Sequence, residues 1–295
     1  MASILDLVGN TPLVGITKIN TFSNIQLYGK LEGQNPGGSV KDRAAYNMIK
    51  RALERGELNK NDHIVEATSG NTGIALAMIA AQFGIPITLI MPENSTKERI
   101  QTMQSYGAEV ILTPAKKTIE YSREFADQLV EEKGYKMLNQ FANPDNWGAH
   151  YRTTGPEIWR DTQQKITHFV SSMGTTGTIM GVSRYLKEQN PNIQIVGVQP
   201  TDGSSIPGIR RWSKEFLPKI FEPDRVDKII DVSESEATQM MQELAKKESI
   251  FAGMSSGGAV AAAMKLAATL EEEAVVVCII CDRGDRYLSS GIYGN

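Results

Sequence analysis

The sequence predicts an α/β fold with two parallel-sheet domains and a site between them. Three observations carry that prediction. Short β-branched runs alternate with helical stretches along the chain. Two of the strand-to-helix junctions, residues 68–73 and 172–178, are rich in glycine and hydroxyl side chains. The chain has 295 residues, a length that favours two domains. Strand–helix alternation implies parallel pairing through right-handed crossovers.

In chain order, residues 25–30 read as a strand. A Pro/Gly turn follows, Asn35-Pro36-Gly37-Gly38-Ser39-Val40-Lys41-Asp42-Arg43, and delivers Lys41 to the start of a helix reaching residue 52. Residues 63–67 form a short strand, and Thr68-Ser69-Gly70-Asn71-Thr72-Gly73 leads to an Ala-rich helix over 74–83. A strand at 87–91 precedes Pro92 and a polar helix. A strand at 110–112 precedes a helix over 118–133. Residues 139–154 are polar, aromatic and turn-rich, and they separate two βα blocks. A boundary there gives a larger domain of residues 1–34 plus 146–295 and a smaller one of 35–145. Beyond it, strand 168–171 enters the second glycine loop and a helix. Strands at 195–198 and 275–281 complete the set, and a third glycine loop, 253–258, precedes another Ala-rich helix.

Composition excludes several classes. Hydrophobic residues are 41% and charged residues 22%, ordinary for a water-soluble domain. A net charge of -3 supplies no global field for nucleic acid. No apolar run reaches roughly 18 residues, the length of a membrane span. The first residues lack the basic-then-apolar layout of a signal peptide, so a cytoplasmic location is expected. Cys278 and Cys281 form a C-x-x-C string inside a β-branched run. Strand positions three apart point to opposite faces, which disfavours a redox pair or half a metal site. Cys281, at the strand's carboxyl end, is placed to border a site. His63, His150 and His168 are scattered and read as packed or capping residues. No metal site is expected.

Three loops carry the chemistry. Lys41, fixed by its turn, reads as a reactive amine more than a solvated charge. Residues Gly174, Thr175, Thr176, Gly177 and Thr178 follow a strand and open a helix. There, free N–H groups, the helix dipole and threonine hydroxyls suit a phosphate. An ordinary Gly-rich βα turn is the bland alternative, and neither the P-loop nor the dinucleotide fingerprint is present. Thr68, Ser69, Asn71 and Thr72 suit a carboxylate at a helix start. Plain capping explains one polar residue there and leaves the others unexplained. For Ser255 in the third loop, capping is an equal alternative.

With these residues in place, the chain resembles the fold-type II (tryptophan synthase β-like) pyridoxal-phosphate enzymes. Within them it resembles the cysteine synthase group, the O-acetylserine sulfhydrylases. The resemblance covers nearly the whole chain, including Val8-Gly9-Asn10-Thr11-Pro12-Leu13 at its start. It implies that Lys41 carries pyridoxal 5'-phosphate and that residues 174–178 hold its phosphate. Ser255 would face the pyridine nitrogen and Asn71 the ring hydroxyl. Thr68, Ser69, Asn71, Thr72 and Gln140 would bind the substrate carboxylate. The implied reaction is β-replacement of O-acetyl-L-serine by sulfide, giving L-cysteine and acetate. A β-eliminase, such as a serine or threonine dehydratase, or a cystathionine β-synthase-like enzyme, is the alternative within the fold. Residues 204–212 and 281–289 resemble the B-isozyme branch, which implies thiosulfate as a second nucleophile, giving S-sulfocysteine. Arg210 and Arg211 suit such a dianion, with a solvated surface patch as the bland alternative. A homodimer is implied; binding to serine acetyltransferase is left open.

Overall fold

The computed structural model describes residues 2–68 and 70–293. Among them the strands form two sheets. In chain order the elements are β1 (Leu13–Gly15), β2 (Ile25–Leu31), α1 (Lys41–Glu54), β3 (Ile64–Ala67), α2 (Asn71–Phe83), β4 (Ile87–Pro92), α3 (Lys97–Ser105), β5 (Glu109–Thr113) and α4 (Thr118–Lys133). They continue with α5 (Pro144–Arg152), α6 (Thr154–Asp161), β6 (His168–Ser172), α7 (Gly177–Gln189), β7 (Gln194–Pro200), β8 (Lys228–Val232), α8 (Glu234–Glu248), α9 (Met254–Ala267) and β9 (Ala274–Ile280).

The larger sheet has the order β1-β2-β9-β6-β7-β8, and the smaller has β3-β4-β5. All pairings are parallel except β1 with β2. β9, the last strand in sequence, lies between β2 and β6 in the interior of its sheet. Its alternate side chains enter two cores. Val276, Cys278 and Ile280 pack with Val260 of α9, while Val277 and Ile279 pack with Phe169 and Ile179. That two-sided burial explains why 275–281 is apolar throughout rather than alternating.

The α/β class and the parallel sheets match the expectation. The structure adds β1, β8 and α8, which the sequence reading did not assign. It also differs over 139–154, where α5 and α6 begin in the turn-rich stretch. Asn143 caps α5 by accepting a bond from the Asp145 N–H at 2.9 Å, with Pro144 in the first turn. The expected domain cut at 145/146 falls in that first turn.

Helix α2 starts at Asn71 rather than residue 74, α7 starts at Gly177 and α9 at Met254. Asn71, Gly177 and Ser255 therefore each stand in the first turn of a helix, where N–H groups are unpaired. No helix among the described residues is long and apolar enough to cross a membrane.

Candidate active site

The turn before α1 is locked from several sides. Gly38 takes φ +81° and donates to the Asn35 carbonyl at 2.7 Å. The Gly37 N–H donates to Asp42 Oδ2 at 2.5 Å. Asn35 accepts from the Gly9 N–H at 2.8 Å, which ties the 8–13 segment to the turn. Arg43 reaches back to Glu32 at 2.7 Å and across to Glu157 at 2.7 Å, all buried. Asp42 and Arg43 therefore anchor the helix through separate partners and do not pair with each other. The Val40 N–H donates to the Cys281 carbonyl at 2.8 Å, joining the start of α1 to the end of β9. Burial pushes the Lys41 ammonium below its ordinary range, and the nearby Cys281 and Asp282 oppose that shift. A lysine so placed gives up a proton more readily than a solvated one.

The carboxylate loop closes onto the same point. Asn71 Nδ2 donates to Asp282 Oδ2 at 2.7 Å, and Asn71 Oδ1 accepts from Arg286. Tyr287 donates to the same Asp282 oxygen at 2.5 Å. Thr72 donates to Gln140 Oε1 at 2.9 Å, so two residues expected at one carboxylate site are in direct contact. Thr68, Thr72 and Gln140 are all buried. Ser69 lies outside the described residues. A Cβ on Gly73 would sit 2.6 Å from Met103 Cε and 2.9 Å from Thr68 Cγ2, so a larger residue there would crowd the loop.

The second glycine loop is shaped for an anion. Thr176 has φ +69°, and among the described residues its buried hydroxyl has no hydrogen-bond partner. It precedes the open N–H groups at the start of α7. A Cβ on Gly177 would lie 2.0 Å from Asn146 Oδ1, and one on Gly174 would lie 2.7 Å from the Gly208 carbonyl. Asn146 Nδ2 donates to the Gln140 carbonyl at 2.7 Å and to Thr175 Oγ1 at 3.2 Å, bridging the carboxylate and phosphate loops. His150 sits between Thr154 at 2.9 Å and Thr178 at 3.3 Å. Burial, then the Arg43 charge, pull its pKa down to about 3, so it is a neutral hydrogen-bonding partner. The orphaned Thr176 hydroxyl, the uncapped helix start and the small residues fit a phosphate group.

Ser255 is buried in the first turn of α9, and its carbonyl accepts from Ser172 Oγ at 2.8 Å. The next residue's Ser256 Oγ accepts from the Cys281 N–H at 2.9 Å. Burial, then Asp282, push the Cys281 thiol up to about 12, while Lys41 and Ser255 pull the other way. Cys278 belongs to the core and Cys281 to the site, and both are free thiols. No group of three His, Cys, Asp or Glu side chains among the described residues is placed to hold a metal.

The two arginines separate. Arg211 donates to the Pro200 carbonyl at 2.9 Å and pairs with Asp202 and Asp231. Arg210 lies with its guanidinium carbon 5.3 Å from the centre of the Trp212 ring. The sequence reading placed Asp282 near the site without a role and assigned none to Arg286, Tyr287 and Asn146; together they orient the expected residues. Their sequence signal was slight: Asp282 follows the carboxyl end of a parallel strand, where α/β sites collect.

These features define a pyridoxal-phosphate enzyme. The chain belongs to the family described as pyridoxal-phosphate dependent enzymes, whose signature matches residues 4–282, and pyridoxal phosphate is its cofactor. Within that family it is similar to cysteine synthase B of Pseudomonas aeruginosa, 60% identical over 291 residues, covering 99% of this chain and 97% of that protein. Cysteine synthase B of Escherichia coli is 54% identical over 294 residues, covering 100% of this chain and 97% of that one. The crystal structure of cysteine synthase from Entamoeba histolytica superposes with a TM-score of 0.94 at 37% identity, covering 99% of this chain and 90% of that one.

Proposed function

We propose that the enzyme converts O-acetyl-L-serine and sulfide to L-cysteine and acetate by β-replacement, as a step of cysteine biosynthesis. One observation carries the assignment of residues. The starts of α1, α2 and α9, which carry Lys41, Asn71 and Ser255, converge on the Cys281-Asp282 junction after β9: the Val40 N–H donates to the Cys281 carbonyl, Asn71 donates to Asp282, and Ser256 accepts from the Cys281 N–H. When bound, the cofactor withdraws electrons from the substrate's Cα and so eases loss of its proton.

The chain supplies the rest. Residues Gly174, Thr175, Thr176, Gly177 and Thr178 bind the cofactor's phosphate through N–H groups and hydroxyls at the start of α7. Asn71 would hold the cofactor's ring hydroxyl, and the Ser255 hydroxyl would serve its ring nitrogen. A hydroxyl there stabilises ring protonation less than a carboxylate, which disfavours side reactions that need a long-lived carbanion. Thr68, Ser69, Thr72 and Gln140 hold the substrate carboxylate. The Lys41 amine, its pKa lowered by burial, removes the Cα proton and later returns it.

Residues 35–145 form the smaller domain in this proposal, and residues 1–34 with 146–295 the larger. Carboxylate binding draws the smaller one closed and excludes water. Thiosulfate as a second nucleophile, assembly as a homodimer and a cytoplasmic location belong to the same proposal, on family resemblance.

The test is Lys41→Ala together with a substrate panel. The variant is expected to lose both turnover and the visible absorbance of the lysine-bound cofactor. Retention of both would refute the role of Lys41. Acetate release from O-acetylserine that depends on added sulfide supports the reaction. Ammonia release from serine without sulfide would replace it with elimination.

A further inference from the structure

The segment Gly284–Ser290, a 3₁₀ turn beyond β9, reaches several parts of the molecule at once. Ser289 Oγ donates to Glu98 Oε2 at 2.7 Å, and the Ser289 N–H to Glu98 Oε1 at 3.1 Å, which seats the segment on α3. Tyr287 donates to Asp282, and the Arg99 guanidinium carbon lies 5.0 Å from the centre of the Tyr287 ring. Arg286 turns inward and is only 9% exposed. It donates through Nη1 to Asn71 Oδ1 and through Nη2 to the Gly37 carbonyl.

Arg43, equally buried, is met by the carboxylates of Glu32 and Glu157. The two acceptors of Arg286 are an amide and a backbone carbonyl, one from each arm of the site. Gly37 belongs to the turn that presents Lys41, and Asn71 opens α2 beside the carboxylate loop. A Cβ on Gly38 would collide with the same guanidinium, so turn and arginine are fitted to each other. Asn71 is held at both ends. Asp282 accepts from its Nδ2 at 2.7 Å, and Arg286 donates to its Oδ1. A carboxylate only accepts and a guanidinium only donates, so a flipped amide would lose both bonds. The second Nδ2 hydrogen is left to serve a ligand. A charged donor on Oδ1 also polarises the amide and makes that N–H a stronger donor.

We infer that Arg286 is a positioning residue for the proposed reaction: one guanidinium fixes the Lys41 turn and the Asn71 amide relative to each other, so that both meet the cofactor in register. This rests on the roles proposed above for Lys41 and Asn71. Without Arg286, the Asn71 amide pivots about its bond to Asp282, and the Gly37 carbonyl loses a buried donor. Asn71 then donates less well to the ring hydroxyl. An N–H donor at that position favours the deprotonated hydroxyl, the form that absorbs in the visible. Loss of Arg286 therefore changes the colour of the loaded enzyme as well as its affinity for the cofactor.

The test titrates the apoprotein with pyridoxal phosphate and records the visible absorbance of the loaded enzyme for Arg286→Gln, Asn71→Ala and the double variant. Arg286→Gln is expected to weaken cofactor binding roughly tenfold, as for the loss of a charged hydrogen bond, and to lower the visible band. Asn71→Ala is expected to weaken binding by a similar factor. The double variant is expected to lose little more than the larger single loss, because Arg286 acts through Asn71. Losses that multiply in the double variant would mean that Arg286 only supports the fold, and overturn the inference. So does Arg286→Gln with wild-type affinity and absorbance. Arg286→Lys keeps the buried charge and loses the fork that spans two acceptors. It is expected to fold and to show the lowered band, and a wild-type band there overturns the inference. Arg283→Gln, in an exposed residue paired with Asp285 at 3.0 Å, is expected to leave both readouts unchanged, and an equal loss there also overturns it. Asn71→Ala that changes neither readout refutes the ring-hydroxyl role itself, and this inference with it.

Discussion

Asp42→Asn probes the cost of placing a carboxyl beside the reactive lysine. Asp42 is fully buried, with one oxygen taken by the Gly37 N–H and the other, among the described residues, without a partner. Burial raises its pKa from 3.8 to about 7, against the pull of the Gly37 bond and the Arg286 charge. The folded state therefore holds this proton where the unfolded chain has released it. The stabilisation from the neutral acid is fully present below pH 3.8 and is lost as pH rises through 7. Between about pH 5 and pH 8, the loss on that shift is about 2–3 kcal/mol. Asparagine is neutral throughout and keeps an acceptor for the Gly37 N–H. The stability of Asp42→Asn relative to the wild type should improve by that amount across the same window. Paired urea melts at several pH values measure it, and taking the difference cancels other titrating groups. A difference that stays flat from pH 5 to 8 refutes the argument.

Two further substitutions test the scaffold. Asn146→Ala removes the amide that joins the Gln140 carbonyl to Thr175, and is expected to weaken both cofactor binding and O-acetylserine binding, each roughly tenfold; titration of the apoprotein with cofactor and the substrate KM check this, and a change in only one breaks the bridge argument. Arg43→Met leaves buried Glu32 and the Glu157 carboxylate facing an apolar side chain, and is expected to cost about 3–5 kcal/mol in denaturant melts; a loss under about 1 kcal/mol would mean that the buried ions relax to other partners.

Lys41, Asn71, residues 174–178 and Ser255 were legible because their signals are local. Each sits in a run of glycine and hydroxyl residues just before a helix, and a helix start imposes the same demand wherever it occurs. Asp282 and Arg286 were not, since they act on Asn71 from more than 200 residues away in sequence. Asn146 carries no pattern of its own and acquires its role only when α5 is laid against the phosphate loop. Arg211 shows the converse. Its charge and position suit an anion, but Asp202 and Asp231 occupy it, and no local rule separates Arg210 from Arg211. Of the unassigned elements, β8 is a short edge strand with Lys228, Ile229 and Asp231 exposed. For α8 the sequence does carry a signal, a capping box between Ser233 and Glu236.

The placement of β9 has a consequence for biogenesis. β9, the last strand among the described residues, fills the middle of the larger sheet and leads into the Cys281-Asp282 junction that meets the starts of α1, α2 and α9. During synthesis, Lys41 leaves the ribosome some 240 residues before its pocket can exist. Until β9 inserts, β2 and β6 present open edges to one another and to any neighbouring chain. The nascent polypeptide therefore acquires cofactor competence only once β9 has been made and inserted. A nonsense mutation that removes even the last strand should yield an aggregation-prone fragment rather than a weakened enzyme.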